Sequence, residues 1–258
     1  MASDNTPHTH FTRPTTYSWQ SLLPPGPAAG TASSDHEPPY THTYPALLPT
    51  GQVLELPIRE LPLPRMGTET ESGVESGMDV GTEVQFAVAS LLISHASFAV
   101  SDTLERCLVQ LLRRFGEEGK GGKGGVDVEV VVGLPTLGLG PAGSVARGLG
   151  LDRYIPLGYS RKFWYDDKLS TLISSITSPD GEKRVYLDPN LLELVRGKKV
   201  VIVDDAVSSG KTLNAIWNFL TSPAIGCEVV AAGVLMKQGL KWRDVLGEER
   251  ARRVVGVF

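Results

Sequence analysis

The sequence has few cysteines, no excess of positive charge and no long hydrophobic run. Its two cysteines, Cys107 and Cys227, are too few for a disulfide framework. The net charge of -4 at pH 7 argues against a nucleic-acid-binding surface, which needs an excess of Lys and Arg. The sequence shows no positively charged segment followed by an apolar stretch, so we expect neither a signal peptide nor a membrane span. We therefore expect a protein of the reducing cytoplasm that binds neither nucleic acid nor membranes.

The composition suits one folded domain of ordinary size with additional tails. The chain has 258 residues, of which 41% are hydrophobic, and this supports a sizeable core. Strands alternate with helices between about residues 126 and 257, a pattern typical of an α/β domain built on a doubly wound parallel sheet. In such a sheet, binding sites lie at the carboxyl ends of the strands.

Residues 1–39 lack the composition of a folded segment. They are rich in Pro, Thr, Ser, His and Gly and contain only scattered aromatic residues, so we predict a disordered tail whose removal leaves stability unchanged. His8, His10, His36 and His42 lie in this tail or just beyond it. Their spacing matches no recognised pair of metal ligands, so solvated histidines are favoured over a metal site.

Two segments between this tail and the main domain differ in character. Residues 40–65 contain two short apolar runs around Pro49 and Gly51, which predicts a β-hairpin that forms a small hood beside the main sheet. Residues 66–82 are acidic and Gly-rich without periodicity, which predicts a flexible insertion. The α/β domain is then expected over residues 83–258.

Apolar spacing predicts that this domain opens with two helices. The first is expected over residues 84–98. The second is expected to be capped by Ser101 or Asp102 and to end at Phe115.

Residues 199–214, with the sequence KVVIVDDAVSSGKTLN, carry the strongest functional signal in the chain. Residues 200–203 are apolar and β-branched, which predicts a buried parallel strand that ends near Asp204. A turn of short hydroxyl residues follows. Helical spacing over residues 212–219 places this turn at a helix N-terminus, where backbone N–H groups favour an anion. We therefore predict a phosphate-binding turn.

Two other phosphate-binding motifs fit this run poorly. Gly210, Lys211 and Thr212 match the end of a Walker A motif, but that motif requires Gly where the chain has Asp205. Two carboxylates in front of a triphosphate would also repel it. A dinucleotide-binding GxGxxG motif lacks its first two glycines here. These departures disfavour a P-loop nucleotide hydrolase, and an ordinary strand-to-helix turn without a ligand stays as an alternative.

The run does resemble the phosphoribosyl-pyrophosphate (PRPP) motif of type I phosphoribosyltransferases. That motif joins four apolar residues to Asp-Asp and to a hydroxyl-rich turn that ends Thr-Gly-x-Thr. Ser209 replaces the first Thr and keeps its hydroxyl. The resemblance implies that the carboxylates accept hydrogen bonds from ribose hydroxyls while the turn binds a monophosphate. The implied substrate-binding residues are Asp204, Asp205, Ala206, Val207, Ser208, Ser209, Gly210, Lys211 and Thr212.

A second strand, turn and helix, beginning at residue 126, repeat this organisation. In type I phosphoribosyltransferases the corresponding turn binds pyrophosphate through backbone amides and often has strained peptide geometry. The resemblance gives this role to Pro135, Thr136, Leu137 and Gly138. Adenine phosphoribosyltransferases resemble the segment best, but they have a basic residue where Leu137 stands. Other residues must then neutralise the charge of pyrophosphate.

Arg161 and Lys162 are the expected replacement. They follow a predicted strand over residues 154–157, and adenine phosphoribosyltransferases have Arg and Lys at the matching place. By this resemblance they neutralise pyrophosphate as it leaves, an effect that grows when water is excluded. A solvated basic pair is the alternative.

Residues 163–189 match the family's mobile loop, which closes over the substrate. At least one of the aromatic residues 163–165 at its root is expected in the core.

The resemblance implies an enzyme that transfers a 5-phosphoribosyl group from PRPP to a nucleobase, a purine by preference, and releases pyrophosphate. The implied catalytic residues are Asp204, Asp205, Arg161 and Lys162. Mg²⁺ is the expected cofactor, with substrate and water as most of its ligands and the two aspartates as indirect ones. The expected partners are PRPP and a nucleobase, and a homodimer is compatible with the resemblance. The alternative is a regulatory protein that keeps the PRPP site without turnover, which the absence of a basic residue at Leu137 makes reasonable.

Overall fold

The computed structural model describes residues 18–24, 42–60, 87–115, 127–175 and 178–258. The histidines at 8, 10 and 36, the predicted acidic insertion 66–82 and most of the predicted tail therefore lie outside the described residues. In chain order, the described elements are β1 (Thr43–Leu47), β2 (Val53–Glu60), β3 (Ala87–Ala89), α1 (Phe98–Phe115), β4 (Val130–Gly133), α2 (Leu139–Gly148), β5 (Ile155–Pro156), β6 (Ser170–Ser175), β7 (Ser178–Tyr186), α3 (Leu192–Val195), β8 (Lys199–Val207), α4 (Lys211–Thr221), β9 (Glu228–Lys237), α5 (Lys241–Ala251) and β10 (Val254–Gly256).

A five-stranded parallel sheet forms the centre of the domain, in the order β10-β9-β8-β4-β5. Successive residues of β8 are buried on opposite faces of this sheet. Val200 and Ile202 belong to one apolar layer, whereas Val201 and Val203 belong to the other, and all four are fully buried. This explains why the strand is continuously β-branched. The predicted doubly wound α/β fold is confirmed.

The two faces of the sheet are covered by different elements. Helices α1 and α2 pack on one face together with the N-terminal hood. Helices α4 and α5 and the hairpin formed by β6 and β7 pack on the other face. The chain leaves β4 towards one edge of the sheet and later returns to β8 on the other side of β4. The carboxyl ends of β4 and β8 thus flank the point where the strand order reverses, the usual place for a ligand in such sheets.

The predicted hood hairpin is confirmed, since β1 pairs antiparallel with β2. The predicted helix over residues 84–98 is wrong for its described part, which begins at Ala87. Strand β3 pairs with β2, and a single 3₁₀ turn, Ile93–His95, follows it. Pairing with β2 satisfies backbone groups that a helix would have satisfied internally, so a long-range contact overrides the local pattern. Helix α1 is correctly predicted to end at Phe115, but it starts earlier than expected, and the Ser97 hydroxyl accepts a hydrogen bond from Val100 N at 3.3 Å.

Part of the predicted tail is packed against the hood. Trp19 is only 5% exposed, and its Nε1 donates to the carbonyl oxygen of Ser90 at 3.0 Å. The Ser97 hydroxyl donates to the carbonyl oxygen of Gln20, and Leu23 pairs with Val53. The prediction of disorder fails for this part because it used the average composition of 39 residues. That average hides the large apolar area that one buried indole supplies.

The predicted mobile loop over residues 163–189 contains regular strands in its described part. Strands β6 and β7 form an antiparallel hairpin there, and Ile173 and Val185 are buried in the same apolar layer as α4. Alternation of these apolar side chains with outward-facing ones such as Leu172, which is 43% exposed, accounts for the strands. The expected core aromatic is also absent: Phe163 and Trp164 are exposed and Tyr165 is half-buried.

Within the described ranges, no helix has both the length and the apolar character needed to cross a membrane.

Candidate active site

Two turns that follow neighbouring strands of the parallel sheet meet in one crevice. After β4, Leu134 N donates to the carbonyl oxygen of Val203 in β8 at 3.0 Å. Gly138 lies so close to β8 that a Cβ atom there would be 2.7 Å from the Val203 carbonyl oxygen and 2.8 Å from the Asp204 Cα. No side chain fits in this gap. The predicted pyrophosphate turn, from Pro135 to Gly138, is therefore in direct contact with the acidic pair.

The acidic pair lies within β8 and not at its solvent-facing end, which corrects the predicted strand boundary. The strand continues through Val207 because Asp204 and Ala206 still pair with β9. Both carboxylates are partly buried, and Asp205 N donates to Asp204 Oδ1 at 2.9 Å. The two side chains thus stay side by side at the floor of the crevice.

Burial and mutual repulsion disfavour the state in which both carboxyl groups of the pair are negatively charged. Burial raises the pKa of Asp204 well above its ordinary value, and the neighbouring charge of Asp205 raises it further. Burial also raises the pKa of Asp205. Hydrogen-bond donors or a cation brought by a ligand would favour the charged form. The pair is suited to a ligand rich in hydroxyls or accompanied by a metal ion.

The turn after β8 leads directly into the N-terminus of α4. Gly210 has the left-handed φ of 77°, and a Cβ atom there would lie 2.9 Å from the Trp242 Cα, so this turn needs glycine for two reasons. No side chain caps the helix at Gly210. The Ser209 hydroxyl accepts a hydrogen bond from Lys211 N at 3.4 Å. The remaining N–H groups of the first turn suit an anion, and the phosphate-binding role of this turn stays a prediction.

The turn after β4 is built in a similar way. Helix α2 begins at Leu139, and no side chain caps it. Pro141 is compatible with this start because it falls in the first helical turn, where an N–H group has no partner to lose. The peptide bond between Pro135 and Thr136 is cis, which agrees with the unusual peptide geometry implied by the resemblance. Leu137 is partly buried against an apolar layer and brings no charge.

Arg161 and Lys162 lie on an exposed loop and are not brought into contact with either turn. Arg161 Nε donates to Asp167 Oδ1 at 2.9 Å, so its guanidinium is paired within its own loop. Lys162 is exposed and makes no ion pair with the described part of the chain. Their assignment to pyrophosphate stays a prediction that requires Arg161 to leave Asp167.

Two residues that the sequence analysis missed connect this loop to the turn. The Tyr159 hydroxyl donates to the carbonyl oxygen of Pro135 at 2.8 Å. The Lys183 ammonium, on β7, lies 5.5 Å from the centroid of the Tyr159 ring. The only signal for Tyr159 was its place two residues before Arg161. Lys183 gave no signal, because its segment was predicted only as a mobile loop.

The described residues contain no cluster of three or more His, Cys, Asp or Glu side chains that could hold a metal ion. The two carboxylates of the crevice, Asp204 and Asp205, are thus the acidic groups available to a metal at this site. A pair of this kind fits an ion that takes most of its ligands from substrate and water.

In a comparison with protein families, residues 108–249 match the phosphoribosyl transferase domain. This range is more than half of the 258-residue chain. It includes both turns of the crevice and the hairpin beside them. No curated protein matches the chain.

Several solved structures match with low sequence identity. Adenine phosphoribosyltransferase from Saccharomyces cerevisiae is 17% identical, with a TM-score of 0.47, over 68% of this chain and 88% of that one. The enzyme from Rhodothermus marinus is 21% identical, with a TM-score of 0.46, over 68% and 86%. The enzyme from Giardia lamblia, solved with 9-deazaadenine, is 18% identical, with a TM-score of 0.44, over 68% and 86%.

Proposed function

Since this chain belongs to the phosphoribosyl transferase domain family and is a transferase, we propose that it transfers a 5-phosphoribosyl group from PRPP to a ring nitrogen of a nucleobase. The observation that carries the proposal is the contact of Gly138 with Asp204, which joins two anion-binding turns on either side of a carboxylate pair. PRPP has the same order of groups: a monophosphate, a ribose diol and a pyrophosphate. The crevice therefore matches the substrate group by group.

The turn after β8 binds the monophosphate in this proposal. Its backbone N–H groups lie at the N-terminus of α4, with the hydroxyls of Ser208, Ser209 and Thr212 beside them. Asp204 and Asp205 accept hydrogen bonds from the two ribose hydroxyls. Their negative charge also stabilises the positive charge that develops on the ribose as the bond between its C1 atom and the pyrophosphate oxygen breaks.

The turn after β4 holds the departing pyrophosphate. Residues 135–138 supply backbone groups at the N-terminus of α2. Arg161 and Lys162 supply positive charge once Arg161 exchanges Asp167 for the ligand. The loop that carries them lies beside the hairpin of β6 and β7, and closure of these elements keeps water from the reactive ribose.

Mg²⁺ is the proposed cofactor. Two adjacent, partly buried carboxylates of raised pKa favour a nearby cation, so Asp204 and Asp205 fit its outer ligand shell, with substrate and water as the direct ligands. When bound, the ion supplies positive charge to the pyrophosphate.

A purine acceptor is supported by the resemblance of the segment from β4 to β5 to adenine-specific family members. The proposed compartment is the reducing cytoplasm, which the two buried cysteines suit.

The test is an assay of pyrophosphate and nucleoside monophosphate formation. The protein is mixed with PRPP, Mg²⁺ and a panel of purines and pyrimidines, and both products are followed. We expect equal amounts of the two with at least one purine. A protein that binds PRPP but forms no product with any base would contradict the transferase function and favour the regulatory alternative. A protein that does not bind PRPP would contradict the site itself.

A further inference from the structure

The proposed pyrophosphate turn has no cationic side chain of its own. Residues 134–138 are Leu, Pro, Thr, Leu and Gly. Leu137 packs on an apolar layer, and Arg161 is paired with Asp167 outside the turn. A leaving group with several negative charges, next to two carboxylates, needs positive charge to be held there.

The hairpin of β6 and β7 brings a lysine to this place. Lys183 pairs with Ile173 across the hairpin, and directly opposite residues of an antiparallel pair share one face. Ile173 and Val185, on that face, are buried in the core. Lys183 is therefore on the inner face of the hairpin and Arg184, the next residue, is on the outer face. The hairpin is anchored in the core through Ile173 and Val185, and the Lys183 side chain is exposed at the end of this face.

Tyr159 links this lysine to the turn. The Lys183 ammonium lies 5.5 Å from the Tyr159 ring centroid, within the range of a cation–π contact. The Tyr159 hydroxyl reaches the Pro135 carbonyl oxygen at 2.8 Å. The pKa of Tyr159 is raised by burial and then by the negative charges of Asp204 and Asp205, which places the ring within reach of the acidic pair. The lysine is thus held at the rim of the crevice, on the pyrophosphate side.

We propose that Lys183 binds the pyrophosphate group of the substrate and that Tyr159 is the positioning residue that holds the Lys183 ammonium above the turn at Pro135. The inference rests on the proposed function. Lysine suits this task because its compact charge on a flexible stem can move from the aromatic ring to a phosphate oxygen. Lys183 thus adds to the positive charge that Arg161 and Lys162 supply in place of a basic residue at Leu137.

Calorimetric titration with Mg²⁺–pyrophosphate tests the role of Lys183. Lys183→Met is compared with Arg184→Met, which removes the same charge from the outer face of the same strand, where Arg184 bonds to the Ser170 hydroxyl at 2.8 Å. We expect Lys183→Met to weaken pyrophosphate binding about tenfold or more, because one charge-assisted contact is lost. Arg184→Met should bind as the parent does. Binding of a nucleoside monophosphate, which lacks pyrophosphate, should be unchanged in both variants.

The outcomes separate this inference from the function on which it rests. If the parent transfers phosphoribosyl groups and Lys183→Met binds pyrophosphate as tightly as Arg184→Met does, the role of Lys183 is refuted while the function stands. If the parent binds neither PRPP nor pyrophosphate, the proposed function fails, and the inference fails with it.

A double-mutant cycle tests the positioning role of Tyr159. Tyr159→Leu removes the ring that holds the ammonium, and it should raise KM for PRPP more than it lowers kcat. In the Lys183→Met background the same substitution should have a much smaller effect on KM, since the group to be positioned is gone. If the effects of the two substitutions on KM simply add, Tyr159 acts independently of Lys183.

Discussion

Gly138 determines how closely the two turns of the crevice approach each other. A Cβ atom at this position would meet the backbone of Val203 and Asp204 at less than 3 Å, and backbone atoms cannot yield as a side chain can. We expect Gly138→Ala to lower the free energy of unfolding by about 1 to 3 kcal/mol. The substitution should also reduce turnover, because it widens the crevice.

Gly140→Ala is the matched control for this substitution. It adds the same atom two residues later, in α2, where nothing lies within 4 Å. Urea unfolding should show Gly140→Ala to be neutral or stabilising, since Ala is the better helix former. Equal stability of the Gly138 and Gly140 variants would mean that the turns are not in close contact.

The acidic pair is expected to reduce stability at neutral pH. Its folded-state pKa values are raised above the ordinary value of 3.8, so the folded protein holds protons that the unfolded chain releases. Stability therefore falls as pH rises from this ordinary value through the raised values. Asp204→Asn with Asp205→Asn should raise the thermal midpoint at pH 7, by roughly 2 to 4 °C for each kcal/mol recovered. The gain should shrink as the pH approaches 4.

The same double variant should lose its ligand. Each charge-assisted hydrogen bond to a ribose hydroxyl contributes roughly 1.5 to 3 kcal/mol, so PRPP affinity should fall by well over tenfold. Exposed Asp152, replaced by Asn, serves as the control for a change of charge away from the crevice. A double variant with parental affinity and turnover would show that the carboxylates do not contact the ribose.

The segment around Trp19 acts as a structural part of the hood. Removal of residues 1–39 should lower the thermal midpoint, in contrast to the expectation from composition. Trp19→Ala alone should lower the free energy of unfolding by about 3 to 5 kcal/mol, as is usual for a buried Trp. Leu47→Ala, at a site that is 65% exposed, is the control and should be nearly neutral. Thermal unfolding checks this, and an unchanged midpoint after removal of residues 1–39 would mean that the segment does not dock.

The loop that follows β5 is expected to act in the transition state. Arg161→Met with Lys162→Met removes two charges and keeps most of the aliphatic stems. Turnover should fall by about 10²-fold, as when a preorganised donor is lost from a transition-state site. Affinity for a nucleoside monophosphate should barely change. Lys168→Met, an exposed lysine of the same region, is the control. Steady-state kinetics with unaltered turnover would remove the pair from the mechanism.

Local sequence patterns were sufficient to predict the sheet and both turns. The runs at 130–133 and 200–203 are continuously β-branched, and such runs form buried parallel strands almost regardless of their surroundings. The predictions that failed concern segments whose structure depends on contacts between residues distant in the sequence. Strand β3 exists because it pairs with β2, and Trp19 is ordered because it bonds to Ser90. The contact of Lys183 with Tyr159 likewise joins segments with no common pattern.

Family membership and the geometry of the crevice support the mode of binding that we propose for the whole molecule. A crystal structure with a nucleoside monophosphate and Mg²⁺–pyrophosphate bound tests it most directly. We predict the monophosphate at residues 208–212, the ribose hydroxyls at Asp204 and Asp205, and the pyrophosphate at residues 135–138. A nucleotide bound elsewhere, or one whose ribose does not touch the two carboxylates, would contradict this account.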